Sequence, residues 1–110
     1  MAGYVPDRGD IIWITFNPQA GHEQAGRRPG IVLSPQKYNN RAGLALVCPI
    51  TSQEKGYPYE VRLPDELPVQ GVVLADQIRS LDWRARKAER AGVLAAETIR
   101  DILAKARTLL

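Results

Sequence analysis

Asp10-Ile-Ile-Trp-Ile-Thr-Phe16 is a short apolar and β-branched run closed off by Gly9 on one side and Pro18 on the other. It is too short for a stable helix. Its residue types suit a pleated surface, so it reads as a strand. The same reading extends along the chain. Pro29-Gly-Ile-Val-Leu-Ser-Pro35 is a second strand stopped by Pro35, and Leu44-Ala-Leu-Val-Cys48 a third that runs into Pro49-Ile-Thr51. Tyr59-Glu-Val-Arg-Leu63 alternates as a half-exposed fourth strand, and Gly71 to Arg79 forms a fifth. Between them, Asn39-Asn40 and Gly43 mark a turn, as does the stretch from Pro64 to Pro68. Asn17 to Arg28 and Gln53 to Gly56 are polar loops.

After Arg79 the pattern changes. Ile99, Ile102, Leu103, Ala106 and Leu110 recur at helical spacing and predict an amphipathic helix starting near Ala95 or Ala96. No Ser, Thr, Asp or Asn precedes it as a cap. Trp83 to Ala91 reads as a short helix or a turn. Five short strands and a terminal helix predict a mainly β fold, a small, strongly bent antiparallel sheet or partial barrel. Such a fold carries function in its loops.

At 110 residues the chain has the length of one domain, too short for a two-domain cofactor enzyme. No apolar run approaches the ~20 residues of a membrane helix. Met1 to Asp10 is polar and lacks the apolar region of a signal peptide, which predicts a cytoplasmic protein with no membrane role. The single cysteine, Cys48, excludes an internal disulfide and a cysteine metal cluster, and the single histidine, His22, excludes a histidine pair. No metal or cofactor is expected. The net charge is +3, and the twelve residues from Arg79 to Arg90 hold all of it, five basic side chains against Asp82 and Glu89. An arginine-rich patch suits phosphate, whose oxygens match the guanidinium fork, though a solvated surface accounts for the charge equally well.

The catalytic inventory is narrow. No two carboxylates are spaced for paired acid–base chemistry, no glycine-rich phosphate loop is present, and Ser34 and Ser52 lack a nucleophile motif. Cys48 is flanked by apolar residues and reads as inert core. Arg28 and Thr51 remain. Pro29 biases Arg28 toward an extended backbone, where a mobile loop enters a strand. Thr51 ends a strand just after Pro49. By themselves these two also fit a surface arginine and a turn threonine.

The motifs decide between those readings. Gly9-Asp-Ile-Ile-Trp-Ile-Thr-Phe-Asn-Pro18 is followed by Gly21-His-Glu-Gln-Ala-Gly-Arg-Arg-Pro29. Then come Ile31-Val-Leu-Ser34, Tyr38-Asn-Asn40, Pro49-Ile-Thr-Ser52, Lys55-Gly-Tyr-Pro-Tyr-Glu-Val61 and Leu74-Ala-Asp-Gln-Ile-Arg-Ser-Leu-Asp-Trp83. In this order the strings resemble the MazF/PemK family of toxin endoribonucleases, across the whole chain as one toxin domain, 1–110. The resemblance implies an SH3-like barrel, a homodimer, metal-independent cleavage of single-stranded RNA, and neutralisation by a cognate MazE-like antitoxin. It implies catalytic roles for Arg28 and Thr51, with Glu23 matching a position important in some members. RNA contact is expected from Asn17, His22, Gln24, Arg27, Ser52, Gln53, Lys55, Gln77, Arg84 and Arg86. Gln24, Gln53 and Gln77 are suited to base edges, because an amide both donates and accepts. His22 stands where the family commonly has serine, and Gly30 where it has a small apolar residue. Two other classes share related folds. Gyrase-binding toxins of the CcdB type act through a terminal Trp-Gly-Ile, against Thr108-Leu-Leu110 here. SH3-like adaptors need an aromatic groove, and Trp13, Phe16, Tyr57 and Tyr59 fall on or beside predicted strands, which assigns them in part to the core.

Overall fold

The computed structural model describes residues 3–16 and 26–110. Its strands are β1 (Asp10–Thr15), β2 (Arg27–Val32), β3 (Ala45–Thr51), β4 (Glu60–Arg62), β5 (Val72–Leu74), β6 (Arg79–Leu81) and β7 (Glu89–Val93). Helix α1 (Gln36–Ala42) lies between β2 and β3, and α2 (Ala96–Arg107) follows β7. All pairings are antiparallel, in the order β4-β5-β3-β2-β1-β7 with β6 also on β3, and the sheet does not close. The expected architecture, a bent antiparallel sheet with a C-terminal helix, is the one observed.

The apolar run of β1 has a simple cause. Successive strand residues point to opposite faces, and at Ile11 and Ile12 both faces are buried, whereas Trp13, further along the Ile11 face, is exposed. Ile11 enters one cluster with Ile31, Cys48, Ile50 and Ile102. Ile12, Ile14 and Phe16 enter a second with Val32, Val47, Leu81 and Trp83. Helix α2 closes the first cluster through Ile99 and Ile102. It begins at Ala96 without a side-chain cap, as its sequence predicts. It ends at Arg107, so Leu110 falls beyond the apolar face assigned to it and is 95% exposed.

Three expectations are corrected. The turn at Asn39-Asn40 is helix α1, closed by Gly43 in the left-handed region at φ 72°. Weak helix formers are held there by tertiary bonds. Buried Asn39 donates through Nδ2 to the carbonyls of Pro6 (2.8 Å) and Ser34 (2.9 Å), and accepts from Ser34 Oγ at 2.5 Å. Trp83 is core, and its indole N–H donates to the Asn39 carbonyl at 3.0 Å. The stretch around it is a turn, with Lys87 at φ 55°, leading into β7. Strand β7 is exposed and charged, as sheet edges often are, so no apolar alternation announced it.

The third correction positions the functional site. The expected strand Gly71–Arg79 breaks into β5 and β6. Both pair with β3, at Ile50–Val73 and Val47–Arg79. Continued unbroken from Ile50–Val73, the ladder would set Asp76 opposite Val47. Arg79 stands there instead, so three residues are looped out. The extruded turn carries Gln77 to the surface and leaves Asp76 half-buried beside it. No helix among the described residues is long and apolar enough to cross a membrane.

Candidate functional site

Arg27 and Arg28 open β2, and they have opposite fates. The Arg27 guanidinium folds against the turn before β7. It donates to the Lys87 carbonyl and to Glu89 Oε1, both at 2.6 Å, and reaches the Arg86 carbonyl at 3.3 Å. The Arg28 side chain is exposed and has no hydrogen bond or ion pair among the described residues. It lines a cleft of about 590 Å³ together with Thr51, Ser52 and Gln53. The β2–β3 ladder explains the meeting. Its last recorded pair is Gly30–Pro49, and Arg28 and Thr51 each lie two residues beyond it on their strands.

Gly30 itself is dictated by packing. A Cβ there would stand 2.6 Å from Val47 Cγ1 and 3.1 Å from Phe16 Cζ. The residue that departs from the family pattern therefore leaves room for the Phe16 ring. Thr51 is set by the strand on its other side, where it pairs with Val72. Its hydroxyl oxygen accepts the Gln53 N–H at 3.2 Å, which leaves the hydroxyl hydrogen available to a ligand.

A second arm of about 570 Å³ shares Thr51 and Gln53 with the first and continues to Lys55, Tyr57, Asp76 and Gln77. Its wall is a built loop. The Glu60 carboxylate accepts the N–H groups of Lys55, Gly56 and Tyr57 at 3.1–3.2 Å. The Tyr57 hydroxyl donates to Asp76 Oδ2 at 2.8 Å. That bond, with the Asp76 charge, raises the Tyr57 pKa and keeps the phenol a donor.

The structure thus brings Arg27, Arg28, Thr51, Ser52, Gln53, Lys55 and Gln77 around one groove. Arg84 and Arg86 do not line either arm. Arg84 stacks on the Trp83 ring at 4.5 Å, and Arg86 donates to the carbonyls of Thr15 (2.9 Å) and Phe16 (2.8 Å). Asn17, His22, Glu23 and Gln24 lie outside the described residues. The Gly26 carbonyl, two residues from Arg28, accepts the Phe16 N–H at 3.0 Å. Burial, and secondarily the Asp76 charge, pushes the Cys48 thiol up to about 12, so it is no nucleophile at neutral pH. Among the described residues no three His, Cys, Asp or Glu side chains form a metal-binding group.

Sequence reasoning missed Tyr57, Glu60, Gly71 and Asp76. The signal for Tyr57 was its place between Gly56 and Pro58, since an aromatic at a loop tip has no core to fill. The partly-core reading fails for Trp13 and Tyr57, which are 40% and 47% exposed and line the two arms.

Residues 7–110 match the family described as PemK-like, MazF-like toxin of type II toxin-antitoxin system. The chain is 51% identical over 110 residues to the endoribonuclease toxin MazF of Escherichia coli, covering all of this chain and 98% of that protein. Its fold superposes on MazF from Deinococcus radiodurans with a TM-score of 0.89 at 54% identity, over 97% of each chain. A MazE–MazF structure from the same organism gives 0.89 at 52% identity, over 96% of each. The groove is therefore found on a chain that belongs to the PemK-like, MazF-like toxin family of type II toxin–antitoxin systems.

Proposed function

We propose that this chain is an endoribonuclease toxin that cleaves single-stranded RNA at short sequences without a metal ion, and so arrests translation and growth. The observation that carries the reading is the cleft lined by both Arg28, whose side chain makes no hydrogen bond or ion pair among the described residues, and Thr51. RNA supplies its own nucleophile. The 2′-hydroxyl attacks the adjacent phosphorus, the bond to the 5′-oxygen breaks, and the products are a 2′,3′-cyclic phosphate and a 5′-hydroxyl. A protein need only hold the two oxygens in line and stabilise the charge that builds on the phosphate.

Arg28 suits that task because its guanidinium presents parallel donors to two phosphate oxygens. The free Thr51 hydroxyl hydrogen donates to a non-bridging oxygen. Arg28 is also the candidate donor of a proton to the leaving oxygen. It is a poor general base, since an arginine pKa above ~12 leaves almost none neutral at pH 7. Glu23, His22 or water takes the proton of the 2′-hydroxyl. Gln53 and Gln77 face the groove with amides fit to read base edges, and Lys55 adds positive charge. The chain acts as one domain, 1–110, in the cytoplasm, as a homodimer held inactive by a cognate MazE-like antitoxin.

The test is incubation of the purified protein with a long RNA in EDTA. Discrete fragments ending in cyclic phosphate are expected, and none when the scissile nucleotide carries deoxyribose. Activity lost in EDTA and restored by Mg²⁺, or equal cleavage at the deoxyribose, would overturn the reading.

A further inference from the structure

Tyr57 is the largest exposed side chain in the second arm of the groove, and the fold goes to some length to hold it there. Gly56, at φ 76°, turns the backbone just before it. The Glu60 carboxylate gathers three successive N–H groups, Tyr57's own included. The hydroxyl is tied to Asp76 on the looped-out turn between β5 and β6. The Tyr59 ring tilts against it at 53°, centroids 5.9 Å apart. An aromatic ring left in water forgoes the gain of burial, and fixing its rotamer costs entropy. Neither cost helps the fold. Both suit a surface that must present a flat apolar face to a ligand, since a ring already fixed loses nothing more on binding.

The ligand class follows from the neighbours. Lys55 offers positive charge, Gln53 and Gln77 offer amides, and Thr51 belongs to the arm that meets Arg28. Cation, amides and an exposed ring along one groove match a single strand of nucleic acid, with phosphates, base edges and base faces in turn. We propose that Tyr57 is a stacking platform for one unpaired nucleobase of the bound RNA, at a fixed distance along the strand from the scissile phosphate. The inference rests on the groove being the RNA site. It adds an affinity-determining residue and a base position to that reading. Asp76 and Glu60 act through Tyr57 as positioning residues.

The experiment measures single-turnover cleavage across substrate concentrations, with an abasic nucleotide walked through the RNA. Tyr57→Leu is expected to weaken apparent binding about ten- to a hundred-fold, the usual range for losing one stacked base, with the saturated rate kept. Tyr57→Trp should restore affinity. At one position only, the abasic RNA should weaken wild type by a similar factor and add nothing to Tyr57→Leu. Unchanged affinity in Tyr57→Leu, or abasic losses that add to it at every position, overturns the platform and leaves the nuclease reading intact. A wild-type protein that neither binds nor cleaves RNA overturns both. A Tyr57→Leu variant that loses antitoxin binding while keeping RNA affinity assigns the ring to a protein partner instead.

Discussion

Gly71 presses against Thr51 so closely that a Cβ on Gly71 would stand 2.2 Å from the Thr51 carbonyl oxygen and 2.9 Å from its carbonyl carbon. The obstacle is backbone, which cannot swing aside. Gly71 also sits at φ 125°, a conformation side chains rarely adopt, while its carbonyl accepts the Leu63 N–H at 2.9 Å. One glycine therefore lets the lead into β5 pass beneath the threonine at the centre of the groove. Gly71→Ala should lower stability by about 1–3 kcal/mol from backbone strain and lower the saturated cleavage rate. The check is a double-mutant cycle. If Gly71 acts through Thr51, Gly71→Ala should cost much less activity when Thr51→Ala is already present. Fully additive losses would reduce Gly71 to a general fold residue.

Arg28→Ala and Thr51→Ala should each slow saturated cleavage by about 10²–10³, as removal of one well-placed transition-state donor does. The Arg28 side chain makes no bond among the described residues, so its loss should leave the melting temperature near wild type. Arg28→Lys should also fail, since an ammonium cannot present two parallel donors to a phosphate. Near-full activity in Arg28→Lys would show a diffuse charge rather than a clamp.

Arg84 and Arg86 should separate cleanly. Arg86 holds two carbonyls at the end of β1, and removing it strands them. Arg86→Ala should destabilise by about 2 kcal/mol, at the level of charged hydrogen bonds, which is roughly 10 °C in a domain of this size. Arg84 is exposed and stacked on Trp83. Arg84→Gln should leave the melting temperature almost unchanged and make RNA affinity less steeply dependent on salt, because one fewer phosphate contact releases fewer counterions. Thermal melts and binding at several salt concentrations decide both. An unchanged salt slope for Arg84→Gln removes it from the RNA footprint.

Cys48 should resist alkylation in the folded protein at pH 8, and Cys48→Ala should keep cleavage activity. Its thiol titrates near 9 when unfolded and near 12 when folded, owing first to burial. Between those values the folded state holds the proton and the unfolded state releases it, so this contribution to stability is complete below pH 9 and lost as pH rises toward 12. Denaturant melts from pH 8 to 11 should show a shallower alkaline decline in Cys48→Ala than in wild type. Equal declines would assign the alkaline limb to other groups, half-buried Tyr4 among them, whose pKa is also raised by burial and by its bond to Asp10.

The chain's local chemistry was enough to determine β1 as a strand, the start of α2 at Ala96, the inertness of Cys48 and, through Pro29, an extended Arg28. The motif order named the family and singled out Arg28 and Thr51. Those features depend on neighbours a few residues away, where period, turn residues and sterics act. Tertiary structure alone decided which of two adjacent arginines is tied down among the described residues. Arg27 is held by partners 59 to 62 positions further on, and Arg86 by partners 70 and 71 positions back. It also decided that Trp83 is core, that α1 is a helix pinned by buried Asn39, and that Asp76 and Gln77 are looped out of the sheet. Each of these depends on which groups meet after the sheet has bent. Composition records that a guanidinium or an indole is present, but only the folded backbone supplies the carbonyl that it finds.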